Sequence, residues 1–158
     1  MKGRVISTLR ISSVLAPLEA DELRQVAAAS RRQELAAGEV LFAHGQPDRH
    51  FYILHKGRIA LQLRMLAGER CTGEARTVLD RPGQTLGWSA LVRAERISAS
   101  ARALEAASVV AVDLGRLTKV ELALKVRCRL VQQLYGLLQE AGICPPDLRA
   151  LLAFGSPA

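Results

Sequence analysis

Between Ile97 and Ala103 the chain alternates strictly. Ala99, Ala101 and Ala103 take one set of positions and Ser98, Ser100 and Arg102 the other, the period-two pattern of a half-buried strand. Similar short apolar or alternating segments at 32–35, 39–43, 51–54, 58–65, 74–79, 98–106 and 108–114 are separated by Gly, Pro or Asp turn chemistry. That spacing predicts a mainly β structure, a small sandwich or jelly-roll barrel rather than a parallel sheet. Before it, residues 5–30 read as helical: Ser12 and Ser13 precede Val14 and Leu15, Pro17 breaks the run, and residues 19–29 resume it. Leu23, Val26 and Ala27 make one apolar face of that second helix, and Asp21 and Glu22 complement the dipole in its first turn. Residues 116–142 predict one long helix, ended by Ile143-Cys144-Pro145-Pro146, after which Asp147 caps at most two further turns of a tail. The expected organisation is one domain over 1–158: N-terminal helices 1–30, β-roll 31–115, C-terminal helix 116–142 and tail 143–158.

The long helix carries two apolar faces. Leu117, Leu124, Val131 and Leu138 recur every seven residues, with Glu121, Cys128 and Tyr135 at the intervening step, a heptad seam. Val120, Leu130, Leu134 and Leu137 form the other face. One face is expected on the barrel and the other needs a partner. A two-fold homodimer through Leu117, Leu124, Cys128, Val131, Tyr135 and Leu138 is the expectation, against the alternative that both faces pack within one subunit.

The stretch from Gly83 to Glu105 holds the candidate chemistry. Pro82-Gly83 sets a turn, and Gly87-Trp88-Ser89 opens a brief apolar run, Ala90-Leu91-Val92, that reads as a short helix. A short helix whose first amides point into a concave sheet favours an anion. Arg96, Arg102, Ser98 and Ser100 supply guanidinium forks and hydroxyls nearby. The plainer alternative is that Gly87 only turns the chain, Trp88 is core and the arginines are solvated.

This stretch resembles the phosphate-binding cassette of the cyclic-nucleotide-binding domain, found in catabolite-activator-type regulators, kinase regulatory subunits and gated channels. The pattern there is Gly-Glu-x-Ala-Leu, a variable loop, then Arg-x-Ala-Thr/Ser-x-Arg-Ala. Gly87, Ala90 and Leu91 match its first half; Ala99, Ser100, Arg102 and Ala103 match its second. The resemblance extends over about residues 10 to 142, with Gly38 and Gly45 flanking the second strand and Phe51-Tyr52-Ile53-Leu54 followed by Gly57. It implies a double-stranded β-helix, a ligand at Gly87, Trp88, Ser89, Ala90, Arg96, Ser98, Ser100 and Arg102, and a C-terminal helix that pairs with its two-fold mate. Two recognition residues differ. The family's ribose-binding glutamate is Trp88 here, and its phosphate-pairing arginine falls on Ile97, with Arg96 one step early. A one-residue offset in a strand turns a side chain to the other face, although Arg96 could fold back from a loop. Each polar partner left unpaired costs about 1–3 kcal/mol, so ordinary cAMP recognition is not expected. The sequence is similar to bacterial variants carrying Gly-Trp-Ser-Ala-Leu, and that resemblance implies no known ligand.

Composition narrows the picture further. At 158 residues one core suffices, and no apolar run approaches the ~20 residues of a membrane span. Cys71, Cys128 and Cys144 are odd in number and irregularly spaced, which argues against a disulfide framework and for a reducing, cytoplasmic setting. The net charge of +7 invites a nucleic-acid reading, but the arginines are scattered and read as a solubilising surface. Catabolite-activator-type regulators continue into a helix-turn-helix domain, and only residues 143–158 follow the long helix here; specific DNA recognition by this chain is not expected. His44, His50 and His55 lack a Cys or carboxylate at ligand spacing, so no metal is assigned. A haem ligated by Cys71 has no further support, and the early cysteines of a cluster-binding type are absent. No Walker loop, nucleophile elbow or paired carboxylate appears, and Glu34, Glu39, Glu69 and Glu74 read as ordinary turn and strand-edge charges. A non-catalytic sensor for a nucleotide-like anion other than cAMP, signalling to a partner protein, is therefore expected. A ligand-free dimeric scaffold and a charge-driven nucleic-acid binder stand as alternatives.

Overall fold

A computed structural model describes residues 2–44, 50–67, 70–86 and 97–140. Two N-terminal helices, α1 (Lys2–Ile11) and α2 (Ala20–Ala28), lead into eight strands: β1 (Ser30–Leu35), β2 (Val40–Phe42), β3 (His50–Lys56), β4 (Ile59–Ala67), β5 (Arg70–Leu79), β6 (Thr85–Leu86), β7 (Ile97–Ala103) and β8 (Ala107–Asp113). A 3-10 turn (Leu114–Arg116) and α3 (Val120–Glu140) follow. The strands form two antiparallel four-stranded sheets, ordered β1-β8-β3-β6 and β2-β7-β4-β5, and the expected jelly-roll is the architecture observed.

Alternation sorts the residues of the second sheet. On β4, Ile59, Leu61, Leu63 and Met65 are buried, while Ala60, Gln62 and Arg64 are only half-covered. Their β7 neighbours follow: Leu61 pairs with Ala101, Gln62 with Ser100 and Arg64 with Ser98. Ala101 and Ala103 are buried, so the alanines face the interior and the serines and Arg102 the outside. Phe42 stacks on Tyr52 across the interior, ring centroids 5.7 Å apart. The central strands β3 and β8 of the first sheet are buried on both sides, and α1 packs on their outer face: Val5 and Thr8 border one crevice with Arg32, His55 and Val110, and Thr8 Oγ1 lies 2.8 Å from His55 Nδ1.

Two glycines fix the turns that frame the cassette. Gly57, between β3 and β4, has φ of 99°, and a Cβ there would stand 2.7 Å from the Ala106 carbonyl. Gly83 has φ of 95°, and its Cβ would meet the Ile11 carbonyl at 2.4 Å. Only glycine combines that backbone with so close an approach. The Gly83 amide donates to the Leu54 carbonyl and the Leu54 amide to Gln84, each at 2.8 Å. Gln84 Oε1 in turn accepts the Asp80 and Arg81 amides, both at 2.9 Å, so β6 starts from a pinned turn.

Three expectations shift. Residues 12–18 are turn rather than helix, since the Ser12 hydroxyl accepts the Val14 amide and offers the backbone an alternative partner. A two-residue β6 pairs Tyr52 with Leu86 and Ile53 with Thr85, too short to show a period. The long helix begins at Val120, not residue 116: the Asp113 carboxylate takes the Gly115 amide at 2.9 Å and Leu117 is extended.

Candidate functional site

Of the predicted ligand residues, Ser98, Ser100 and Arg102 are described, and they lie on the outer side of β7 rather than toward the roll interior. Register places Val40, Arg102, Ala60 and Val78 in one row across the four strands, and Ser100, Gln62 and Arg76 in the next. His44 stands over the second row. Its Nδ1 lies 2.9 Å from Ser98 Oγ, and its Nε2 lies 3.1 Å from Ser100 Oγ and 3.3 Å from Gln62 Oε1. Gln62 Nε2 donates to Glu74 Oε1 at 2.5 Å, and Arg76 Nε donates to the same oxygen at 2.7 Å. A carboxylate only accepts, which orients the Gln62 amide. Its oxygen then faces His44, so His44 Nε2 donates to it. The Gln62 amide, then Arg76, hold the Glu74 carboxyl below the ordinary carboxylate range.

This network contains what the sequence could not pair. Ser98 and Ser100 lie on the outer face, joined by His44, and Glu74 is a network member rather than an isolated strand-edge charge. Alternation in 60–64 and 98–102 announces a polar face; the register that pairs Gln62 with Ser100 is set by tertiary packing. Arg102 is exposed, and among the described residues its guanidinium makes no hydrogen bond or ion pair. Gly87, Trp88, Ser89, Ala90 and Arg96 lie outside the described residues, between β6 and β7. Ile97 opens β7 and pairs with Met65, whose side chain is buried.

The three histidines are dispersed: His44 in the network, His50 stacked on Tyr52 at 6.2 Å, His55 against Thr8. Among the described residues no three metal-ligating side chains gather. Cys71 and Cys128 are exposed free thiols.

On α3, Leu122, Val126 and Leu130 are buried at four-residue spacing, the stripe of a helix laid on a core. Arg129 donates to the Ser13 carbonyl at 3.1 Å and Lys125 to Glu22 Oε2 at 3.1 Å, which seats the helix against the N-terminal segment. Leu130 thus belongs to the packed face as expected, whereas Val120 is 72 % exposed because it occupies the first helical position. On the opposite side Leu124 is 50 % and Tyr135 39 % exposed, with Cys128 exposed between them. Leu117 and Val131 of the expected seam are already buried within the chain. The side chains of Leu134, Leu137 and Leu138 lie outside the described set. Among the described residues no helix is long and apolar enough to cross a membrane.

A family model, the cyclic nucleotide-binding domain, matches residues 32–120, from β1 to the start of α3. The chain belongs to the cyclic nucleotide-binding domain family. No curated protein matches the sequence. Solved structures share its fold. The cAMP-bound regulatory domain of Toxoplasma gondii PKA superposes with a TM-score of 0.67 at 20 % identity, over 85 % of this chain and 50 % of that one, so this chain spans half of its length. The N-terminal domain of a Streptomyces coelicolor transcriptional regulator gives 0.60 at 23 % identity, over 89 % and 98 % of the two chains. The guanosine-bound regulatory subunit of a cAMP-independent protein kinase A from Trypanosoma cruzi gives 0.61 at 18 % identity, over 92 % and 53 %. The fold is that of a cyclic nucleotide-binding domain.

Proposed function

We propose that this cyclic nucleotide-binding-like domain senses a small nucleotide-like anion other than cAMP and passes the signal to a partner through α3. The observation that carries the reading is a family frame, matched over 32–120, in which the two recognition positions hold Trp88 and Ile97. Neither supplies what a cyclic phosphate ribose needs: tryptophan has no acceptor for a hydroxyl, and isoleucine no charge for phosphate. Trp88 stacks readily on a planar base, and Arg96, with the amides of Gly87, Ser89 and Ala90, offers phosphate-binding chemistry. A guanosine-bound neighbour of the same fold supports a ligand range wider than cAMP. Sensing requires that the ligand prefer one of two arrangements of α3. The exposed Leu124, Cys128 and Tyr135 support an α3 surface that a second copy covers in a homodimer.

A thermal-shift panel of cyclic mono- and dinucleotides tests the reading. A true ligand at a hundred times its dissociation constant adds about 2.7 kcal/mol by mass action, whereas cAMP leaves the melting temperature unchanged. A dimeric protein that no nucleotide stabilises would instead be a scaffold.

A further inference from the structure

The outer face of the second sheet carries an open cleft of about 960 Å³ across all four strands, on the side opposite the roll interior. Its floor is apolar: Val40, Val78 and Leu104 are large side chains left exposed. Arg102 stands in the middle of that floor, paired in register with Val40 on one side and Ala60 on the other, with Val78 beyond. Arg76, the other cation of the cleft, shares its charge with Glu74; Arg102 shares its charge with no described residue. One guanidinium, unpaired among the described residues and set among apolar side chains, complements a ligand with one anionic head and an apolar body. The volume lies in the range of small-molecule sites, roughly 300–1,000 Å³.

We infer that this cleft is a second ligand site, for a small amphiphilic anion such as an acyl or aryl carboxylate, whose head pairs with Arg102 and whose body lies on Val40, Val78 and Leu104. The probe is 8-anilino-1-naphthalenesulfonate, titrated into the full chain and followed by fluorescence, then displaced by dodecanoate or dodecanol. Saturable binding at one site per chain is expected, with dodecanoate displacing the dye at about tenfold lower concentration than dodecanol because only the carboxylate pairs with Arg102. Arg102→Glu should weaken dye binding by about tenfold or more and abolish the preference for the carboxylate. Val78→Asp, a second surface change, should weaken the dye similarly; unaltered circular-dichroism melting of both variants shows that the fold is retained. Dye affinity unaffected by both substitutions would overturn the proposal, showing that the Arg102 stem merely covers valines. Displacement of the dye by cAMP would overturn it too, since the dye would then sit inside the roll.

Discussion

The two sheets of the roll each have four strands and differ in what covers their outer faces. In the β1-β8-β3-β6 sheet, residues 107–112 of β8 are buried without a break and so are residues 51–54 of β3, because α1 lies on the outside. In the β2-β7-β4-β5 sheet, β4 alternates buried and half-covered along its length, because no described helix lies over its outer face. The covered strands β3 and β8 spend their sequence on packing. The open sheet frees every second residue for polar contacts, and there the His44–Gln62–Glu74 network and the Arg102 cleft are found.

Substitution across the two faces sharpens that contrast. Ile53→Ala, at a fully buried position on the covered sheet, should cost about 2–5 kcal/mol in chemical denaturation, while Val78→Ala on the open face stays within about 0.5 kcal/mol. Equal costs would mean that the open face is covered in solution. Gly83→Ala strains a left-handed backbone and drives a Cβ into the Ile11 carbonyl; a loss of about 1–3 kcal/mol is expected in the same assay. A neutral result would show that the turn does not bear on α1. The smallest effect belongs to Glu22, outside both sheets, whose carboxyl is held below the ordinary range first by the Glu19 amide and then by Lys125. A depressed pKa gives stability that is present above the unfolded value and lost as pH falls through the folded one. The small advantage of the native protein over Glu22→Gln should therefore be visible in melting curves at neutral pH and fade in acid. An advantage that persists in acid would remove the electrostatic account.

What the sequence discloses follows the same division. The alternation of 97–103 and 58–65 names an open sheet's strands and their inward residues, and the seven-residue spacing of α3 finds Leu124, Cys128 and Tyr135, which stay exposed. Strands buried on both faces, such as β8, lose their period and can be recognised only as apolar runs. The packed stripe Leu122, Val126 and Leu130 follows a four-residue spacing that the seven-residue pattern does not single out, and α3 starts four residues later than the apolar pattern suggests, because Asp113 draws residues 114–116 into a separate turn. His44 could be seen as a histidine and no more: its three partners come from β4 and β7, brought together by register rather than by spacing.

The claim that a nucleotide-binding frame persists with altered recognition is tested most directly by isothermal titration of cAMP into the native chain and into the double variant Trp88→Glu, Ile97→Arg. The account predicts no saturable heat from the native chain and measurable binding by the double variant. Saturable cAMP binding by the native chain would contradict it.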